Sequence, residues 1–464
     1  MPLILGANSV SGGYEVDNSL RFNPGSSDFL ERTLSGTSTN RKLCTFSYWV
    51  KRSDISDTNQ GCIGGFLTNS SGQNLQIGFF NNGFYAVYYD GAIVRLNLVS
   101  SALARDVSAW YHVVIAIDTT QATTSDRAKM YVNGVQVTSF TTSDYPVQNV
   151  DFPMTNGFTT HIGKMTFIGS TTEYLDGYMS EVNFIDGQQL TPSSFGQTDP
   201  SVPSSGIWIP KAYTGSYGTN GFYLEFQNSG ALGTDSSGNG NNFTVNNLTS
   251  VDQSTDTPTN NFCTINPLDV APSQTFTEGN LACSYGATNV SNRSSFAVDT
   301  GKWYWEMKVT SISGGGILTG VTDSTQLLST WVGATTYGYG YYSSNGFYYN
   351  NGSSSTSGNS FTTNDIIGIA FDATNGKIYF SKNGTFQNSG DPVTQTNPAF
   401  TGLTGRLFFP ATSGYSGDAI NYNFGSPPFT IASGNADANG YGNFEYAVPS
   451  GFYALNTKNL ADYG

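Results

Sequence analysis

Apolar and polar residues alternate along the chain from about residue 20 to residue 190, with clusters of Gly, Asn, Ser and Pro between the alternating runs. A period of two puts successive side chains on opposite faces, and many such runs separated by turn residues predict a β-sandwich. Strands are expected at 45–50, 76–80, 111–117 and 178–184. Residues 129–137 read as a hairpin, because Asn133-Gly134 supplies two residues that tolerate positive φ between two alternating runs.

A stretch rich in Pro, Ser and Gly follows, from Thr191 to Gly206, and reads as a linker. Residues 207–262 are rich in aromatics, Asn and Gly, with one strand expected at 222–226. They are read as a connector packed on its neighbours. Alternation resumes after residue 263, with strands expected at 302–309 and 366–371. A second hairpin is expected at 377–384, again turning on Asn-Gly (Asn383-Gly384). The tail contains Pro427-Pro428 and Pro449-Ser450-Gly451 and reads as an extended aromatic arm. The resulting plan is a sandwich at 1–200 with an N-terminal arm, a connector at 201–262, a second sandwich at 263–426 and an arm at 427–464.

Composition agrees with an all-β chain. Gly is abundant (54 of 464 residues), aromatics reach 14% and charged residues only 11%, whereas an average protein carries about 25% charge. Regularly spaced aromatics exclude a disordered low-complexity chain. Acidic residues outnumber basic ones 33 to 19, and no basic face is visible, which argues against nucleic-acid binding. Cys44, Cys62, Cys263 and Cys283 lack the spacing of zinc or redox motifs. They read as buried thiols, with disulfides 44–62 or 263–283 left open. Met1–Asn8 has no basic segment and too short an apolar run for a secretion signal. No stretch has the roughly 20 apolar residues of a membrane span, so no membrane insertion is expected.

The order Trp110-Tyr111-His112-Val113-Val114, Met130-Tyr131-Val132-Asn133-Gly134, Ile168-Gly169 and Leu175-Asp176-Gly177-Tyr178-Met179-Ser180-Glu181-Val182 resembles the concanavalin A-like, laminin-G-like jelly rolls. Residues 235–242 (DSSGNGNN) resemble an opening loop of that superfamily, displaced here into the connector. In the second half, Gly301-Lys302-Trp303-Tyr304-Trp305-Glu306, residues 364–372 (NDIIGIAFD), residues 378–384 (IYFSKNG) and Asn421-Tyr422-Asn423-Phe424-Gly425 resemble the successive strands of a SPRY domain. The whole chain resembles virion structural proteins of marine bacteriophages, and Ile4–Asn8 and residues 451–460 fit that likeness. These resemblances imply two jelly-roll-type β-sandwiches, one concanavalin A-like and one SPRY-like, joined by a Pro/Gly/Ser/Asn-rich connector. They also imply a place on the virion surface, reached by lysis of the host in whose cytoplasm the chain is made.

Glycoside hydrolysis is the enzymatic rival, because some concanavalin A-like sandwiches are glycanases. Such enzymes need two carboxyl groups about 5–9.5 Å apart across the scissile bond. The jelly-roll glycanases set them on one strand as E-x-D-x-x-E. Here Glu15-Val16-Asp17 is followed by Asn18-Ser19-Leu20, so the third acid is missing. Asp176 and Glu181 have an odd offset, which on a regular strand places them on opposite faces; both are read as solvated or turn residues. His112 and His161 are isolated, too few for a metal site or a triad. No cofactor is expected, save that calcium, which takes oxygen ligands, could use the loop acids Asp90, Asp118 and Asp151.

The aromatic run from Trp331 to Tyr349 is the candidate binding region. Alternate rings there belong to the core, and those that face outward could stack on a sugar or a partner. Trp331, Tyr342, Asn345 and Phe347 are the candidate contact residues. The function expected is non-enzymatic: a tail-fibre or receptor-binding component that recognises host-surface glycan or protein and contacts other virion proteins. A capsid decoration or head-fibre protein is the alternative, and a polysaccharide depolymerase the third. Shallow sugar sites bind weakly alone, so a homo-oligomer is expected, a trimer held partly by the tail from Pro427 to Gly464.

Overall fold

The computed structural model describes residues 13–67, 72–167, 171–201, 204, 206–313 and 315–464. Met1–Asn8 and Ile168-Gly169, which carried parts of the resemblance, lie outside these. The chain divides into two compact units, Val10–Thr259 and Asn260–Gly464.

The first unit is a sandwich of two eight-stranded sheets. One sheet has the order Val135–Gln136, Ala128–Val132, Tyr111–Asp118, Leu43–Arg52, Gly177–Asp186, Ser19–Phe22, Gln253–Ser254, with Phe222–Leu224 also paired to Gly177–Asp186. The other runs Phe140–Asp144, Ile93–Leu103, Gly83–Asp90, Asn74–Phe80, Gln60–Leu67, Phe158–Ile162, Phe29–Thr33, Thr244–Asn246. Their inner faces meet in one apolar core that includes Phe46, Val113, Ile115, Phe79, Phe158, Met179 and Phe184.

The stretch read as linker and connector is an added layer of this sandwich, part a hairpin of its own and part extra strands of the two sheets. Gly196–Thr198 pairs with Trp208–Pro210. Phe222–Leu224, Thr244–Asn246 and Gln253–Ser254 each extend a sheet. The strands on either side of the DSSGNGNN loop join opposite sheets. Side chains from this layer also seal the outer face of the first sheet. Trp208 packs with Trp49, Trp110 and Tyr178, and Asp256 binds the buried Lys51 ammonium at 2.8 Å and the Trp110 indole N–H at 3.1 Å. A buried charge left unpaired costs several kcal/mol, so this ion pair locks the layer's end to the strand Leu43–Arg52.

On the second sheet's outer face lies a short hairpin, Lys164–Thr166 with Thr172–Tyr174. Glycines make room for it. A Cβ on Gly64 would stand 2.4 Å from the Lys164 carbonyl, and one on Gly61 would stand 2.2 Å from the Met165 nitrogen.

The second unit is a sandwich of a seven-stranded and an eight-stranded sheet. The seven-stranded sheet has the order Ile265–Val270, Val290–Ser294, Phe408–Gly414, Leu318–Asp323, Gly338–Tyr342, Phe347–Asn350, Ser353–Ser357. The other runs Gln274–Thr277, Ala282–Tyr285, Ala419–Asn423, Lys302–Ser311, Ile366–Asp372, Lys377–Lys382, Thr385–Phe386, with Tyr453–Ala454 added in parallel to Lys302–Ser311. Alternation decides the faces: Trp303, Trp305 and Met307 point into the core, Tyr304 and Glu306 outward. The outward set is nonetheless buried, because the C-terminal arm covers it. Phe444, Phe452 and Ala454 pack on Tyr304, Ala370 and Tyr379, and the arm ends in the helix Thr457–Tyr463, capped by the Asn456 side chain.

Both Asn-Gly pairs are hairpin turns with positive φ, 47° and 78° at Asn133-Gly134 and 47° and 80° at Asn383-Gly384. All four cysteines are buried free thiols.

Candidate binding site

Strand alternation splits the aromatic run from residue 331 to residue 349 into two sets. Tyr339, Tyr341 and Tyr348 belong to the core of the second sandwich. Tyr342 and Tyr349 lie on the opposite face, half-buried, and Trp331 joins them from the loop between Leu318–Asp323 and Gly338–Tyr342. The loop is held down on that face: the Val332 N–H donates to the Ser413 hydroxyl at 3.0 Å, and the Gly352 N–H to the Gly333 carbonyl. Gly338 and Gly340 face it, and a Cβ on Gly340 would stand 2.5 Å from the Val332 carbonyl.

The outward rings form a shelf. Tyr349 stands edge-to-face with Trp331 (5.5 Å, 88°) and with Tyr342 (5.9 Å, 82°). The Asn345 amide donates to the Tyr349 hydroxyl at 3.1 Å, and the Asn345 side-chain oxygen accepts from the Phe347 N–H. Phe347 itself is exposed. The four candidate residues thus occupy one neighbourhood, and Tyr349, which the alternation argument did not single out, links Trp331, Tyr342 and Asn345. From Ser324 to Asn364 the sequence holds no charged residue and no histidine. Such a shelf offers apolar ring faces beside neutral amides and hydroxyls, the surface on which a pyranose ring stacks.

His112 is buried, stacked on Trp49 (4.9 Å) and facing Trp208. The Trp208 indole N–H donates to its Nδ1 at 2.9 Å, so Nδ1 carries no proton and Nε2 carries one. Nε2 therefore donates to the Ser47 hydroxyl at 2.9 Å and is in the wrong tautomer to activate that hydroxyl as a nucleophile. Burial pushes the His112 pKa down to about 3. His161 pairs with Glu31 at 3.0 Å and is lowered to about 4, first by burial and then by Lys164.

Glu181 is not solvated, contrary to the expectation from sequence. The pairing of Gly177–Asp186 with Leu43–Arg52 slips between Ser180 and Asn183, and Glu181 takes a left-handed φ of 51°. This bulge moves Glu181 off the parity of a regular strand and buries it under Tyr14 and Tyr223. An odd offset therefore no longer fixes the face on which Glu181 lies. Glu15 and Asp17 are exposed.

The calcium candidates are each engaged separately. Asp90 binds Arg95 and Gln73, Asp118 accepts from Thr120 and Gln121, and Asp151 faces Arg41. Among the described residues no group of three His, Cys, Asp or Glu side chains converges as a metal site.

Comparison with known proteins fits this geometry. Residues 302–427 match the model of the SPRY domain, and residues 25–195 match that of the concanavalin A-like lectin/glucanases superfamily. The chain carries a concanavalin A-like domain and a SPRY domain. Similar solved structures include the SPRY domain of human HERC1 (21% identity, 34% of this chain and 96% of that one, TM-score 0.29). The PSpry domain of TRIM65 (14%, 35% and 91%, 0.28) and a human SPRY domain (17%, 32% and 94%, 0.25) are similar too. No curated protein matches the chain. The aromatic shelf lies within the stretch matched to the SPRY domain. Both domain types are typically binding folds without catalytic residues.

Proposed function

We propose that this chain is a non-enzymatic recognition protein of a phage virion surface, a tail-fibre or receptor-binding component that grips a host-surface glycan through the SPRY domain. The observation that carries the reading is the shelf of Trp331, Tyr342 and Tyr349, half-buried and charge-free, on a sandwich whose other outer face is covered by its own C-terminal arm. The phage setting rests on the likeness of the whole chain to marine phage virion proteins. A single shallow sugar site is weak, and joining several raises avidity by about 10²–10⁴, so the reading includes a homotrimer. Phe444, Phe452 and Leu455 of the tail are buried within their own unit, so a trimer contact made by the tail would use its other residues.

The test is binding of the purified full chain to a glycan panel and to host envelope material, with Trp331→Ala beside it. Binding is expected to drop by about two- to thirteen-fold in the variant, since an aromatic stacking contact contributes roughly 0.5–1.5 kcal/mol. Because the shelf is uncharged, affinity is expected to change little between low and high salt. Binding to virion subunits in place of envelope material would make it a decoration protein, and release of reducing sugar would make it a depolymerase.

A further inference from the structure

Glu181 sits at the bulge of Gly177–Asp186, and its carboxyl group faces away from the core of its sandwich. Two tyrosines close over it. The Tyr14 hydroxyl lies 2.8 Å from one carboxyl oxygen, the Tyr223 hydroxyl 2.6 Å from the other, and the two hydroxyls are 3.0 Å apart. The three groups therefore make a closed ring of three O···O contacts at hydrogen-bonding distance.

Counting protons decides what such a ring needs. An ionised carboxylate and two phenols bring two protons to three contacts, so one contact would set lone pair against lone pair. A neutral carboxyl brings the third proton. Each phenol can then donate once and accept once, and every contact becomes a hydrogen bond running round the ring. The other buried glutamate provides the contrast. Glu306 accepts from the Tyr304 hydroxyl, the Asn423 amide and the backbone N–H groups of Glu445 and Tyr446. Three of those four donors cannot accept a proton back, so that site is built for a carboxylate.

We propose that Glu181, Tyr14 and Tyr223 form a proton-holding clasp, which fastens the N-terminal segment to the first sandwich when Glu181 is neutral and loosens it when the proton leaves. Tyr14 belongs to the segment ahead of the strand Ser19–Phe22, and Tyr223 to the strand Phe222–Leu224 from the added layer. The ring thus joins three stretches far apart in sequence. Below Tyr14 the segment is also held by Val16, whose N–H and carbonyl both bind the Thr259 hydroxyl at 3.0 Å. The charged groups that reach Glu181 are Asp17 on the N-terminal segment and Glu225 beside Tyr223, both acidic, and both favour the proton. Tyr217, facing from the preceding loop, spends its hydroxyl on Asn183. Burial is the largest influence and, against the downward pull of the Tyr223 and Tyr14 hydroxyls, pushes the Glu181 pKa up to about 7. The same burial and the nearby carboxylate raise both tyrosines, so neither phenol gives up its proton in the carboxyl's place.

The sign follows from linkage. A carboxyl whose pKa is raised in the closed state favours closure at low pH, and loses that contribution as pH rises through the closed-state value. With about 7 closed and an ordinary value near 4.5 open, closure weakens roughly 30-fold between about pH 5.5 and pH 8.5.

The experiment is limited proteolysis of the N-terminal segment in the full chain across that pH range, corrected for the protease's own pH profile. Wild type should be cut roughly 30-fold faster at the alkaline end. Glu181→Gln should flatten the profile, and Tyr14→Phe should open the segment at both ends. A direct titration of the Glu181 carboxyl in wild type by carbon-13 NMR guards against a misfolded variant. An inflection near 7 is expected. An inflection in the usual carboxylate range would overturn the clasp, as would a pH profile that Glu181→Gln leaves unchanged.

Discussion

Replacing Glu306 by Gln is the sharpest test of how the C-terminal arm is held. The side chain is fully buried on the strand Lys302–Ser311, and each carboxyl oxygen accepts two hydrogen bonds. One takes the Tyr304 hydroxyl (3.2 Å) and the Tyr446 N–H (2.8 Å). The other takes the Asn423 amide (3.0 Å) and the Glu445 N–H (2.9 Å). Burial raises the Glu306 pKa while these donors pull it down. Glutamine keeps the shape but turns one oxygen into an NH₂ group. Whichever oxygen is lost, one arm N–H then faces a donor and has no acceptor. A hydrogen bond to a charged group contributes about 1.5–3 kcal/mol, and a buried donor left unpaired costs a further 1–3 kcal/mol. A local loss of about 3 kcal/mol follows, which is roughly a 10²-fold rise in opening. Hydrogen exchange resolved by residue is the assay. Amides 444–446 and 453–454 should exchange roughly 10²-fold faster in Glu306→Gln, while the first sandwich is unaffected. Exchange of the arm within threefold of wild type would refute the reasoning, and would mean that ring packing by Phe444 and Phe452 holds the arm alone.

Three further outcomes follow from other contacts. His112 is refused a proton in the fold until about pH 3 but takes one near 6.5 when unfolded, so it removes stability as pH falls through that window, by up to about 5 kcal/mol at its foot; His112→Gln should flatten that part of the acid limb in denaturant titrations. Lys51→Ala leaves Asp256 buried without its cation and should cost about 3–5 kcal/mol, whereas Lys51→Met with Asp256→Leu should recover most of it, as read by unfolding midpoints. Gly64→Ala drives a Cβ against the Lys164 carbonyl; it should lift the hairpin off the sheet and expose amides 164–166 to exchange without unfolding the sandwich.

The parts of the fold that were legible are those where period-two patterning spans a whole strand. In residues 302–309 the alternation alone assigns Trp303, Trp305 and Met307 to the core, and the Asn-Gly pairs locate both hairpins because both residues tolerate the positive φ of that turn. Of the added layer of the first sandwich, only the strand at Phe222–Leu224, expected at 222–226, was legible. The layer's strands Trp208–Pro210, Phe222–Leu224 and Thr244–Asn246 are three residues long, too short to show a period by themselves, and what fixes them is pairing with Gly196–Thr198, Gly177–Asp186 and Phe29–Thr33 in turn. The aromatic shelf was half legible. Alternation says which rings turn outward, but only the loop that brings Trp331 over Gly338 and Gly340 says which of them meet.

Glu181 shows why a binding protein can hide its most unusual group from sequence reasoning. The residue stands in a strand whose neighbours Met179, Val182 and Phe184 all point inward, and two-residue parity cannot hold across 179 and 182 unless one residue is extra. The inserted residue leaves the ladder, takes a left-handed φ and re-aims its side chain. That backbone conformation is unfavourable for glutamate, so something on the outer face must repay it, and the hydrogen bonds to Tyr14 and Tyr223 are the groups in place to do so. The apolar pattern around a bulge therefore carries information that composition does not. Where inward positions fall three apart in a run of twos, the residue between them that leaves the ladder is where a buried functional group should be sought.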